Sequence, residues 1–136
     1  MSPRIRIENR ISRIRVYSEK LQLYHAGVPL KSDDKLLYSF ERLSFLVIQS
    51  SIDLAEAVIS IKGLRKPETL ADSFEILREA KFLTIELSER LVRMVGFRNM
   101  LSHDYENISA ERMHTEVLAG LTDIDELVKS VELINF

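Results

Sequence analysis

No cysteine occurs in this chain, and it holds only three prolines, four glycines and three histidines. Without cysteine there is no disulfide framework, no thiolate zinc site and no cysteine nucleophile, which fits a reducing compartment. With so few prolines and glycines, little interrupts a regular pattern. Long apolar runs are missing at the N-terminus, where "MSPRIRIENRISRIRVY" alternates Arg and Ile. That stretch reads as neither a secretory signal nor a membrane span, for which about 20 apolar residues are needed. A cytoplasmic protein without membrane attachment is the expectation. Excess charge is missing too. A formal net charge of -2 gives no global pull toward nucleic acid, yet residues 1–20 hold six Lys/Arg against two Glu, so basic charge is concentrated on one segment.

What is present is helical periodicity. Hydrophobic residues make up 46% and charged residues 29% of 136 residues, the composition of one ordinary globular domain spanning 1–136. Ser2 before Pro3 reads as a helix start, and Ile7, Ile11, Ile14 and Leu21 then recur at helical spacing to about Tyr24. Gly27 and Pro29 end that segment. A second helix is expected from Ser32, with Asp33 and Asp34 at its positive end, to Gly63. Its seam is Leu36, Phe40, Leu43, Val47, Leu54, Val58 and Ile61, with Ser51 at one seam position. The third runs from about Thr69 to Ala80 with Leu70, Phe74 and Leu77 buried. The fourth begins near Thr84 on the seam Leu87, Leu91, Met94 and Leu101. For the fifth, Ser109 is the cap, Ile108 and Met113 form a hydrophobic staple, and Val117, Ile124, Val128 and Val131 face inward. Gly120 weakens that helix locally. The expected architecture is all-α, an antiparallel up-and-down bundle of about five helices. Leu37, Phe45, Ile48 and Ile52 lie off the main seam of the second helix, a surplus of apolar surface that points to dimerisation through helix faces.

One position breaks the pattern. Arg98 occupies the seam between Met94 and Leu101, with Asn99, His103 and Tyr105 close behind it in "VGFRNMLSHDYENIS". Arginine offers a planar fork that matches two phosphate oxygens, and histidine exchanges protons near neutral pH. Together they suit phosphodiester cleavage: a base takes the ribose 2′-hydroxyl proton, an acid protonates the leaving oxygen, and a cation holds the developing charge. That chemistry requires no metal. The ordinary alternative is a seam arginine that salt-bridges a neighbouring helix or caps the last carbonyls, with a histidine doing the same. Tyr105 alone would be a half-buried packing residue. At about 100° per residue, Arg98 and His103 point roughly 140° apart on a straight helix. Either the helix bends or ends between them, or two chains each contribute one.

Elsewhere the signals are weaker. Arg6, Arg10 and Arg13 form a basic face that could contact RNA phosphates or simply be solvated. Asp33 and Asp34 are helix-start carboxylates rather than a metal pair. His25 and His114 have no partners at ligand spacing and are expected at the surface.

The motif in "FRNMLSHDY", arginine, four residues, histidine, one residue, tyrosine, resembles that of the HEPN superfamily in the form carried by HepT-like toxins. Asn99 after the arginine, the helix count and the domain size agree with it, and the likeness of organisation extends over most of the chain. Ser102 departs from the aliphatic residue common at its place. The resemblance implies a homodimer whose two motifs line one cleft and a metal-independent ribonuclease with no cofactor. It also implies a toxin neutralised by a small nucleotidyltransferase antitoxin of the MNT type. Carried over by position, Arg98 binds phosphate, His103 is the acid/base, Asn99 orients the site and Tyr105 accepts AMP. The alternative the resemblance leaves open is a non-catalytic helical accessory subunit that presents substrate to the nucleotidyltransferase.

Overall fold

The protein, seen here as a computed structural model, is described over residues 2–24, 34–103 and 109–136, the side chains of Asp34, Ser102, His103 and Ala110 excepted. Among these residues it forms five α-helices and no strand: α1 (Pro3–Gln22), α2 (Asp34–Lys62), α3 (Asp72–Glu79), α4 (Ile85–His103) and α5 (Ala110–Glu132). They make the expected all-α up-and-down bundle.

The ends follow from local chemistry. The Ser2 hydroxyl accepts from the Ile5 N–H at 3.2 Å, and Pro3 occupies the first turn, where an amide donor would have no partner. Ser109 does the same for α5, accepting from the Arg112 N–H at 3.1 Å. Gly63, at φ 64°, closes α2: its N–H donates to the Ser60 carbonyl, and the Leu64 N–H donates to the Ile59 carbonyl at 3.0 Å. Lys81 makes the same closure for α3 at φ 65°, donating to the Arg78 carbonyl at 2.8 Å while Phe82 donates to that of Leu77. A lysine there bears the left-handed strain that glycine avoids. Lys81→Gly is therefore expected to raise stability by about 0.5–1 kcal/mol, read as a higher denaturation midpoint; an unchanged or lower midpoint would count against it. Gly120 does not break α5, and a Cβ there would meet the Met94 sulfur at an ordinary 3.7 Å.

Two expectations needed correction at α3. The helix starts at Asp72 rather than Thr69, and the Thr69 hydroxyl accepts from the Asp72 N–H at 3.1 Å across the turn that precedes it. Leu70 is consequently in the preceding turn and 37% exposed instead of buried. Arg65 holds the connecting segment along α3: its guanidinium bonds to Asp72 at 2.8 and 2.9 Å and to Glu79 at 2.9 and 2.8 Å. That guanidinium keeps both carboxyls below the usual carboxylate range, and their hydrogen bonds raise its own pKa.

Helix α2 is the axis of the bundle. At 29 residues and 1.5 Å per residue it is about 43 Å long, and it packs against all four other helices. That position explains its two apolar sides. Ile48 (3% exposed) and Ile52 (0%) are core residues of this chain, not surplus surface for a second copy, while Leu37 and Phe45 are half-buried. Its span Lys35–Lys62 is apolar enough to cross a membrane, but 61% of the apolar window is buried inside the bundle. Seam serines are accommodated because Ser51 donates to the Val47 carbonyl at 2.9 Å and Ser44 to that of Phe40 at 2.6 Å.

His114, expected at the surface, is half-buried. Its Nε2 lies 2.8 Å from the Tyr24 carbonyl oxygen, and its ring stacks on Phe40 at 5.6 Å, tying α5 to the end of α1. Arg90 pins α4 to α5 through Asp123 at 2.8 Å and Glu126 at 2.6 Å, which raises the arginine's pKa. His25, Gly27, Pro29, Ser32, Asp33 and Ile108 lie outside the described residues.

Candidate functional site

The stripe Leu87, Leu91, Met94 and Leu101 of α4 is buried, as its spacing predicts. Arg98 continues that stripe. Helical geometry therefore carries its long side chain against α2, where it is half-buried. Its guanidinium lies over the Phe45 ring, 4.5 Å from the centroid, and its Nη2 donates to Gln49 Oε1 at 2.7 Å. The Nη1 donates to Asn99 Oδ1 at 3.1 Å. Gln49 in turn donates through Nε2 to Asp53 Oδ1 at 3.1 Å. The result is a polar line from Asp53 through Gln49 and Arg98 to Asn99, set beside an aromatic ring. A cation over such a ring gains about 0.5–2 kcal/mol depending on desolvation.

Phe45, Gln49 and Asp53 sit four residues apart on α2, so they form one face of a helix fixed on all sides by packing. Arg42 joins the same face, with its guanidinium carbon 5.8 Å from the Phe45 ring centroid. Glu41, next to it, is pushed above the usual carboxylate range by burial. Neither Gln49 nor Arg42 was among the residues the sequence singled out. The available signal was a single amide inside "FLVIQSSIDL", where the surrounding residues are mostly buried. Phe45 had been read as apolar surplus; its position instead gives Arg98 a platform.

Helix α4 is regular through His103, so no break separates Arg98 from His103. The helix therefore does not end after Leu101, and along a straight helix the two positions stand roughly 140° apart. The His103 side chain and all of Tyr105 lie outside the described residues.

The basic face of α1 has company. Arg6, Arg10 and Arg13 line a groove of about 420 Å³ with Asn9, and across it stand Asp53 and Glu56 of α2. Arg6 and Arg10 are half-buried and Arg13 is exposed. Cations and carboxylates thus share one groove, and Asp53 belongs both to it and to the hydrogen-bonded line that ends at Arg98. Among the described residues no three His, Asp or Glu side chains converge as metal ligands.

A sequence model of the family described as "Ribonuclease HepT-like" matches residues 7–131. The chain is similar to an mRNA nuclease HepT of Shewanella oneidensis, 27% identical over 131 residues that make up 93% of this chain and 96% of that one. It is likewise similar to a tRNA nuclease HepT of Aphanizomenon flos-aquae, 28% identical over 92% of this chain and 86% of that one. Among solved structures, the tri-AMPylated HEPN toxin of Shewanella oneidensis in complex with its MNT antitoxin superposes with a TM-score of 0.85. That match covers 94% of this chain and 97% of the other at 27% identity.

Proposed function

This chain belongs to the HepT-like ribonuclease family, and we propose from that membership and from the geometry around Arg98 that it is an RNA-cleaving toxin neutralised by a nucleotidyltransferase antitoxin. Arg98 is the observation that carries the proposal. The stripe of α4 calls for an aliphatic residue there; instead a guanidinium lies on Phe45, held by Gln49 and Asn99.

In this role Arg98 binds the scissile phosphate and stabilises the charge that grows on its oxygens as the 2′-oxygen attacks phosphorus and the bond to the leaving oxygen breaks. His103 exchanges the protons of that step, taking one from the 2′-hydroxyl or supplying one to the leaving oxygen. Asn99, exposed and accepting from Nη1, orients the fork. On a straight helix the two positions stand about 140° apart, which disfavours one chain presenting both groups to the same phosphate. A homodimer supplies the answer: the arginine of one chain works with the histidine of the other in a cleft between them. Arg6, Arg10 and Arg13 extend the phosphate-binding surface along α1, and the RNA substrate places the protein in the cytoplasm.

Tyr105, two residues past His103, is the acceptor for AMP from the MNT-type antitoxin. Each added group brings negative charge and bulk beside the cleft, which repels an RNA phosphate. The test is a single preparation carried through two states. Protein purified free of the antitoxin is expected to cleave RNA with EDTA present. After incubation with the nucleotidyltransferase and ATP it should gain the mass of one or more AMP groups and lose cleavage. Tyr105→Phe should cleave and gain no mass. An AMP-sized mass gain that survives Tyr105→Phe rejects the modification site, and unmodified protein that never cleaves rejects the nuclease in favour of an accessory subunit.

A further inference from the structure

We propose that Gln49 is a positioning residue for RNA cleavage, setting the rotation at which the Arg98 guanidinium meets the phosphate. The inference rests on Arg98 being the phosphate-binding group and adds a residue that neither the motif nor its spacing contains.

Beside its bond to Asn99, two residues of α2 constrain the guanidinium. The Phe45 ring, 4.5 Å away, supports one face of the planar group. The Gln49 amide fixes its rotation by accepting from Nη2 at 2.7 Å. Gln49 is itself held the right way round. Its Nε2 donates to Asp53 Oδ1 at 3.1 Å, and turning the amide over would set a carbonyl oxygen against that carboxylate. Asp53 therefore decides which atom Gln49 offers to Arg98. All three residues lie on one face of α2, the helix that every other helix packs against. Positioning built on such an element is stiffer than positioning built on a loop.

The residue type matters as well. A carboxylate would also accept from Nη2, but it would bring negative charge to the place where a phosphate must approach. The amide aligns the fork without adding charge of its own. Gln49 is half-buried on the α2 face that also carries Phe45 and Asp53, where it can reach the Arg98 guanidinium and the Asp53 carboxylate together. The arginine's long flexible side chain is the part of the site with most freedom to lose, so its alignment is where a supporting residue has most effect.

The experiment measures RNA cleavage by the full chain, free of antitoxin, as Gln49→Met, Gln49→Glu, Arg98→Ala and the Gln49→Met/Arg98→Ala double variant, with thermal melts of each. Gln49→Met removes the acceptor at similar volume. It is expected to lower kcat by about 10- to 100-fold with KM and melting temperature little changed. Gln49→Glu keeps an acceptor for Nη2 but gives up the donor to Asp53 and adds charge; with folding verified by its melt, it should raise KM for RNA. The double variant should be no slower than Arg98→Ala alone, because Gln49 acts only through Arg98. Native kcat in folded Gln49→Met, native KM in Gln49→Glu, or multiplying losses in the double variant would each overturn the role. If Arg98→Ala itself cleaves at the native rate, the site reading fails. If Arg98→Ala is inactive while Gln49→Met is fully active, only the positioning role fails.

Discussion

Arg98→Ala is expected to lower RNA cleavage by about 10²–10³-fold while the bundle stays folded. The size follows from what the guanidinium supplies. It is a fixed cation aimed at charge that exists only in the transition state, in a half-buried place where water screens it less than at the surface. The loss should therefore fall mainly on kcat. Stability should change modestly, because the guanidinium is only half-buried and its contacts with Phe45, the Gln49 amide and Asn99 lie at the edge of the core. Arg98→Lys keeps the charge but loses the planar fork, and it should recover only part of the rate. Cleavage kinetics beside a thermal melt check this. A folded Arg98→Ala protein with native kcat would mean that the arginine is a structural residue of the α2–α4 contact.

His103→Ala is expected to have an effect as large or larger, about 10²–10⁴-fold, and to change the shape of the pH dependence as well as its height. An imidazole titrates near neutrality, so the native rate should bend in that region, and the variant should lose that bend. Arg98→Ala should keep it, since the proton-exchanging imidazole is still present. The two variants are thus distinguished by profile even if their rates are alike. A pH profile that is the same in His103→Ala as in the native protein would assign the proton transfer to another group.

The sequence made the helices legible because α1, α4 and α5 each bury one stripe, so their spacing shows directly which residues point inward. Ser2 and Ser109 were legible for the same reason of locality: a cap acts within three residues. Where partners lie far apart in the chain, legibility ended. Ile48 and Ile52 look like surplus until α2 is known to be enclosed by four helices. Arg65 reaches Asp72 and Glu79 across the connection before α3, and His114 meets the Tyr24 carbonyl 90 residues away. The site divides likewise. Arg98 declared itself by interrupting an apolar stripe, but Gln49 is separated from it by 49 residues, and an amide in an apolar run does not by itself say which side chain it meets. His103 and Tyr105 were legible as a motif, in a resemblance the family match bears out, while their side-chain positions lie outside the described residues.

The regular backbone of α4 through His103 makes the division of labour between two chains the point on which the mechanism stands. Arg98→Ala and His103→Ala chains, each nearly inactive alone, should therefore be exchanged into mixed dimers, with their presence verified by native mass. One Arg98 and one His103 then remain, on different chains. Cleavage well above the sum of the two parent proteins is expected. Mixed dimers that form and cleave no better than that sum would show that arginine and histidine do not act together across the interface.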